Sequence, residues 1–251
     1  PEDRFDRQPL IGAGGRLVLV ADLRLDNRAD IAAALDVSPQ AASVLSDADL
    51  LLGAYERWGE DCLARLVGEY AFAVWDAGRR HLLLARGPVN GRPLHYAHDG
   101  RLFAFSTMPK VLHAWDEIPR EPDEEALGWA LDLTLWDETR SFFRNVRQVV
   151  NGSVVVIGEH GVRTRNFWAP PRQRIRLKRA EDYQDALRET LDVAVSSALR
   201  GASDVAAQMS GGLDSTSVAA TAARLLAPSG GKVVAYTAVP GLGSDQQGPA
   251  G

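Results

Sequence analysis

"QMSGGLDSTSVAATAARLL", Gln208 to Leu226, sets a glycine pair, an aspartate and several hydroxyls between a short apolar run and an alanine-rich stretch. The run before it, "DVAAQM", is a candidate buried strand. Ser215 to Leu226 has the composition of a helix, and "KVVAYTAVP" reads as a second strand. Strand, loop, helix, strand is the βαβ pattern of a parallel sheet. In "SGGLDS" the glycines Gly211 and Gly212 can take positive φ and let the backbone come close to a ligand. A helix starting near Ser215 leaves its first N–H groups unpaired and partly positive. With the hydroxyls of Ser210, Ser215 and Thr216, this suits a phosphate or pyrophosphate. The loop has no lysine and no GxxxxGK[ST] pattern, so it is not the loop that grips terminal phosphates in kinases and GTPases. Asp214 would repel a bare phosphate but is useful beside magnesium, which takes carboxylate and phosphate oxygens together. The plainer alternative is an ordinary strand–helix turn in which Asp214 and Ser215 cap the helix. The full hexapeptide in a βαβ setting favours the nucleotide. The candidate ATP contacts are Ser210, Gly211, Gly212, Leu213, Asp214, Ser215 and Thr216, with Asp214 as the Mg2+ ligand.

Outward from this loop, the 251 residues are enough for two modest domains. Hydrophobic residues make up 45% and charged ones 24%, as in a soluble globular protein. A net charge of −5 gives no pull toward nucleic acid or acidic membranes, so neither is an expected partner. No apolar run approaches the roughly 18 residues that span a bilayer. "PEDRFDRQPL" is not a signal peptide, because no basic region leads into an apolar one. One cysteine, Cys62, excludes an internal disulfide and a multi-thiolate metal site. A cytoplasmic protein is the expectation.

The first part is rich in strands. A strand is predicted from Leu17 to Asp22, followed by a helix behind an Asp26-Asn27 cap. Two helical stretches broken near Gly59 come next. "YAFAVWD" and "HLLLAR" read as strands joined by "AGRR", and hairpins follow at Asp99-Gly100 and in "GSVVVIGEHGVRTRNFW". "DEEALGWAL" is an acidic-started helix. Residues 169–182, rich in Pro and Arg, read as a linker between residues 1–168 and 183–251. Tyr183, Leu187, Leu191, Ala194 and Ala198 fall on one helix face beyond it. Apart from His95 and His98 on the hairpin, the histidines show no ligand spacing, and with no nearby Cys or carboxylate pattern all read as surface residues; Cys62 reads as a small core residue.

"SGGLDS" resembles the pyrophosphate loop of synthetases that cleave ATP between the α- and β-phosphates and adenylate an acceptor. The preceding segments choose among them. "ADLRLDNR" resembles the "NGEIYNH" segment of the asparagine synthetase-like family. "LLARGPVNGRPLHY" resembles its "LARDPLGxKPLYY", and "FAFSTMPKVL" its "FASExKAL". The look is closest to the branch that contains lasso-peptide cyclases. The resemblance implies an α+β, Ntn-hydrolase-like αββα sandwich followed by the start of an α/β adenine-nucleotide α-hydrolase (PP-loop) domain. It implies an ATP-dependent, Mg2+-using, AMP-forming amide ligase. Its substrates would be a small-molecule or peptide carboxylate and an amine, with a precursor peptide or partner protein as a further candidate.

Three departures from the family pattern bear on the first domain. A glutaminase of the family uses an N-terminal cysteine as nucleophile, whereas this chain starts with Pro1. The family's oxyanion-stabilising Asn-Gly falls on Asp22-Leu23, where a carboxylate opposes developing negative charge. The Asp of "ARD" is Gly87. Together they predict a domain that makes no ammonia. The family's catalytic lysine and second magnesium-binding acidic segment have no counterpart here, so no catalytic residue is assigned. The second domain is expected to need completion. A non-catalytic nucleotide- or partner-binding module is the alternative. "GLGSDQQGPAG" reads as a flexible tail.

Overall fold

The computed structural model describes residues 2–89, 91–134, 137–159 and 161–238. Pro1, Trp136, His160 and the expected tail lie outside them. The chain divides into two compact units, Pro1–Pro171 and Arg172–Gly251.

The first unit is organised by a six-stranded antiparallel sheet in the order β1-β2-β3-β4-β8-β9. Its strands are β1 (Leu10–Gly12), β2 (Leu17–Leu25), β3 (Gly68–Asp76), β4 (His81–Arg86), β8 (Ser153–Gly158) and β9 (Gly161–Asn166). β3 decides the layering. Its alternate residues Tyr70, Phe72 and Val74 are buried with Leu17, Leu19 and Leu83 on one face. Ala71 and Ala73 are buried with Leu84, Val155 and Ile157 on the other. A strand that buries both faces needs cover on both sides. On the first face the cover is α3 (Asp47–Trp58), together with α1 (Arg28–Ala34). On the second it is a three-stranded sheet of β5 (His95–His98), β6 (Phe103–Ser106) and β7 (Arg147–Gln148). Tyr96, Phe103 and Phe105 of that sheet fill the gap between the sheets. Its outer side, Ala97 and Ala104, packs on Leu112 of α4 (Pro109–Leu112). The layers run helix, sheet, sheet, helix: the αββα sandwich. Two further helices, α2 (Pro39–Ala42) and α5 (Glu124–Asp132), lie at the periphery.

The elements start where local chemistry dictates. Ser46 and Asp49 form a reciprocal capping box on α3. Gly59, at φ 58°, ends that helix and turns the chain into a 3₁₀ segment, Gly59–Ala64. Asn27 does not cap α1 with its side chain. It accepts from the Val67 N–H at 3.0 Å and donates to the Arg65 carbonyl at 2.9 Å, pinning the approach to β3. The Asp47 carboxylate is buried. It accepts from the Leu25 N–H at 2.8 Å and the Arg28 guanidinium at 2.9 Å, and Arg28 also donates to the carbonyls of Ala42 and Leu45. One carboxylate thus ties the end of β2 to α1 and α3.

The second unit holds α6 (Ala180–Ala198), β10 (Asp204–Gln208), α7 (Leu213–Leu226) and β11 (Lys232–Tyr236). β10 and β11 pair in parallel, from Asp204 opposite Lys232 to Gln208 opposite Tyr236. Three expectations are corrected. The stretch read as linker gives its last residues to α6, where Arg179 and Asp182 fasten the helix start. Val195 is the buried residue of α6, while Leu187 is 70% exposed. β10 is not a buried strand, because a sheet of two strands leaves alternate residues open.

Replacing Asp47 by Ala strands the Arg28 charge and a strand N–H in the core. The expected loss is about 3–5 kcal/mol of stability in urea unfolding followed by circular dichroism. Asp76, fully buried at the β3–β4 turn, gives a pH dependence. Burial pushes its carboxyl up, but the Arg79 N–H, the Arg16 guanidinium and the Gly78 N–H outweigh that and hold it below the usual carboxylate range. A lowered folded value contributes stability that is present above the unfolded pKa of about 3.9 and is lost as pH falls through the folded value. Asp76→Asn should therefore flatten the acid limb of stability against pH below about 4.

Candidate functional site

The loop between β10 and α7 brings together all the residues singled out in the sequence. The ladder extends one step past β10, where the Met209 N–H donates to the Tyr236 carbonyl at 2.8 Å. Gly211 then takes φ 77°, the left-handed region, and Gly212 is the helix N-cap in extended conformation. The helix begins at Leu213, two residues before the expected start. This corrects the capping alternative as well: Asp214 and Ser215 sit inside the first turn, and Gly212 offers no side-chain cap.

Hydroxyls hold the loop. Ser210 and Ser215 lie Oγ to Oγ at 3.3 Å, and the Ser215 Oγ also accepts from the Ser210 N–H at 3.3 Å. Thr216 Oγ1 donates to the Gly212 carbonyl at 2.8 Å. The first intrahelical bond runs from the Thr216 N–H to that same carbonyl. The N–H groups of Leu213, Asp214 and Ser215 precede it and have no partner within the helix. They form the positive end of α7 beside an exposed backbone turn. Asp214 is exposed, and its carboxylate makes no hydrogen bond or ion pair among the described residues. No group of three His, Cys, Asp or Glu side chains suited to a metal occurs among the described residues, and Asp214 is the one carboxylate in the loop from Ser210 to Thr216. Magnesium accepts that arrangement when phosphate oxygens and water fill the remaining positions.

The first unit contains a second cluster, at the mouth of its sandwich. Asp22 forms an ion pair with Arg92, whose Nε also lies 3.7 Å from Glu69. Gln8 brackets β2 just before this point: its side chain accepts from the Ala21 N–H at 2.5 Å and donates to the Ala21 carbonyl at 2.7 Å. Gly87 donates to the Tyr70 carbonyl at 2.8 Å. The neighbouring Arg86 is buried and donates to the carbonyls of Arg92 and Val149. Cys62 is fully buried, and burial, helped by Asp61 and Glu60, pushes its thiol up to about 12. Sequence reasoning gave no role to Gln8, Glu69 or Arg92. The signal for the last two was a charged residue in each stretch facing the charge at Asp22. The reading of the histidines as surface residues is corrected: His95 and His113 are buried, each with Nδ1 at 3.2 Å from a backbone carbonyl.

The sandwich and the strand–loop–helix that follows it fit one class: an amidotransferase-type domain joined to the opening of a synthase domain. Comparison with known proteins agrees. The family model described as glutamine amidotransferase domain matches residues 3–168, and the one described as asparagine synthase matches residues 186–244. The chain is 26% identical over 223 residues to asparagine synthetase (glutamine-hydrolyzing) 3 of Bacillus subtilis, covering 86% of this chain and 36% of that protein. It is 32% identical over 188 residues to a putative asparagine synthetase of Mycobacterium tuberculosis, covering 71% and 28%. Amidase chyE of Penicillium rubens is 28% identical over 185 residues, covering 72% and 27%. Among solved structures, the glutamine phosphoribosylpyrophosphate amidotransferase of B. subtilis aligns with 91% of this chain and 48% of its own at 15% identity and a TM-score of 0.41. The chain belongs to the asparagine synthetase-like family. It spans about a third of the length of the curated relatives it matches. No helix among the described residues is long and apolar enough to cross a membrane.

With its thiol near 12, Cys62 at pH 8 holds roughly one thiolate per 10⁴ thiols, and the side chain is enclosed. Iodoacetamide should leave the folded protein unlabelled and label it in denaturant. Mass spectrometry distinguishes this from a reactive cysteine, which would label at pH 8 without denaturant.

Proposed function

We propose that this chain is part of an ATP-dependent ligase that activates a carboxylate as an acyl adenylate and hands it to an amine. The observation that carries the reading is the Gly211 turn, at φ 77°, leading from a parallel strand into the N-terminus of α7. It lies inside the segment similar to asparagine synthase. The pyrophosphate of ATP is assigned to the N–H groups and hydroxyls of Ser210 through Thr216, and Asp214 is the residue that would hold magnesium. When bound, that ion offsets phosphate charge and polarises the phosphoryl oxygens. The substrate carboxylate attacks the α-phosphorus and pyrophosphate leaves. The amine then attacks the acyl carbon and AMP leaves.

The source of the amine follows from the first unit. A glutaminase stabilises a developing oxyanion with hydrogen-bond donors. Here the matching position carries Asp22, already paired with Arg92, and Cys62 is enclosed and protonated. We infer that this unit makes no ammonia and that the amine arrives ready-made, on a small molecule, a precursor peptide or a partner protein. Macrolactam formation in a lasso peptide is the narrowest form of this reading, and the names of the relatives lend it no support. A cytoplasmic setting matches the ATP requirement.

A second reading is favoured by the apolar residues left open on the second unit, among them Leu213 at 86% and Tyr236 at 61% exposure. In that reading the chain binds nucleotide or a partner and turns nothing over. Pyrophosphate exchange and AMP release with a panel of carboxylates separate the two. Exchange or AMP formation supports the ligase, and tight ATP binding without either supports the module. Asp214→Asn should abolish magnesium-dependent ATP binding, read by calorimetry with and without EDTA. Unchanged binding would remove the loop from the site.

A further inference from the structure

A cavity of about 530 Å³ opens in the first unit between the entry to β3, the loop after β4 and the residues that follow β9. That volume suits a small molecule or the end of a peptide. Its wall is apolar, with Leu66, Val67, Val89, Phe167 and Trp168. Three charged side chains complete it: Arg24, Asp26 and Glu69. Two of these cancel, because Arg24 Nε donates to Asp26 at 2.9 Å. Glu69 is 43% exposed and, among the described residues, has one ion-pair contact, at 3.7 Å to Arg92, which is itself paired with Asp22. The net charge offered to a ligand is one carboxylate beside apolar walls. A neutral apolar ligand would strip water from Glu69 without replacing it. An anion would be repelled. A cation on an apolar body satisfies both parts, and an aromatic wall adds attraction for an ammonium.

We propose that this cavity binds a primary ammonium carried on an aromatic or aliphatic body, with the cation on Glu69 and the body against Val67, Val89 and Trp168. None of these residues belongs to the nucleotide loop, so the two assignments stand or fall separately.

The test is calorimetric titration of the whole chain with 2-phenylethylamine, 2-phenylethanol and phenylacetate, with a melting curve for each variant to verify folding. The amine should bind about tenfold or more tightly than the alcohol, and phenylacetate least. Glu69→Gln should weaken the amine about tenfold and spare the alcohol, whereas Glu69→Asp should retain the preference for the amine. Trp168→Ala should weaken both. A peptide with a free N-terminal phenylalanine and its N-acetylated form then identify the source of the ammonium. Tighter binding of the free peptide than of phenylethylamine assigns it to a peptide end, and the reverse order to a small amine. Equal affinity for amine and alcohol, unaltered amine binding in folded Glu69→Gln, or no binding by either amine or peptide overturns the proposal.

Discussion

The first unit depends on a strand whose middle, Tyr70 to Val74, is buried on both faces. β3 sends Tyr70, Phe72 and Val74 to one face of the sheet and Ala71 and Ala73 to the other, all buried. The asymmetry in size sets the architecture. The large side chains meet a helix layer, where ridges of Leu50, Leu51 and Tyr55 interleave with them. The alanines leave room for a second sheet, whose aromatic Tyr96, Phe103 and Phe105 reach across. Larger residues at 71 and 73 would have to displace that sheet or strain its rotamers. Sandwich order is therefore a consequence of alternating volume along one strand.

The same alternation explains why a charged cluster sits at the mouth. On β2, the residues in step with Val18 and Val20 are Asp22 and Arg24. On β3, the residue in step with Ala71 and Ala73 is Glu69, and register places it opposite Arg24. Where the second sheet stops covering this face, the pattern changes from apolar to ionic. Asp22 is only half exposed, and Arg92 compensates it. With both side chains partly open to water, the pair is screened and its net contribution to stability is small. A carboxylate at position 22 opposes any negative charge that develops beside it.

Much of this was legible in the sequence, for reasons that can be named. "YAFAVWD" and "HLLLAR" are apolar runs of strand length with a tight connection, and their pairing is local. "SGGLDS" was legible because glycine at positive φ and a helix start leave few alternatives. What stayed hidden depends on distant partners. Asn27 looks like a cap because caps are local and common, yet its amide is used by Arg65 and Val67, some forty positions away. His95 and His113 looked solvated because nothing nearby marked them. Their Nδ1 atoms meet carbonyls contributed by Thr107 and Ile118. The face of α6 was misjudged for a related reason. Periodicity shows which residues share a side, and only the neighbouring elements decide which side is covered.

In the loop between β10 and α7, two adjacent glycines sit in different backbone conformations. Gly211 sits at φ 77° with open space where a Cβ would be, so a substituent there would be strained by the backbone and not by contact. Gly212 has an ordinary φ of −77°, and a Cβ there would lie 3.4 Å from Ser210 Oγ. That contact is an ordinary one, and the same hydroxyl accepts the Gly212 N–H and approaches Ser215 Oγ. The turn is thus held from inside by side chains and left clear outside. Glycine is an accepted helix N-cap, only a few tenths of a kcal/mol behind Ser, Asp or Asn, so Gly212 connects β10 to α7 at little cost. Here Gly212 leaves the N–H groups of Leu213, Asp214 and Ser215 to be satisfied by something other than a cap. Those N–H groups, with no side-chain cap over them, are the feature of the loop on which the proposal of a bound phosphate rests.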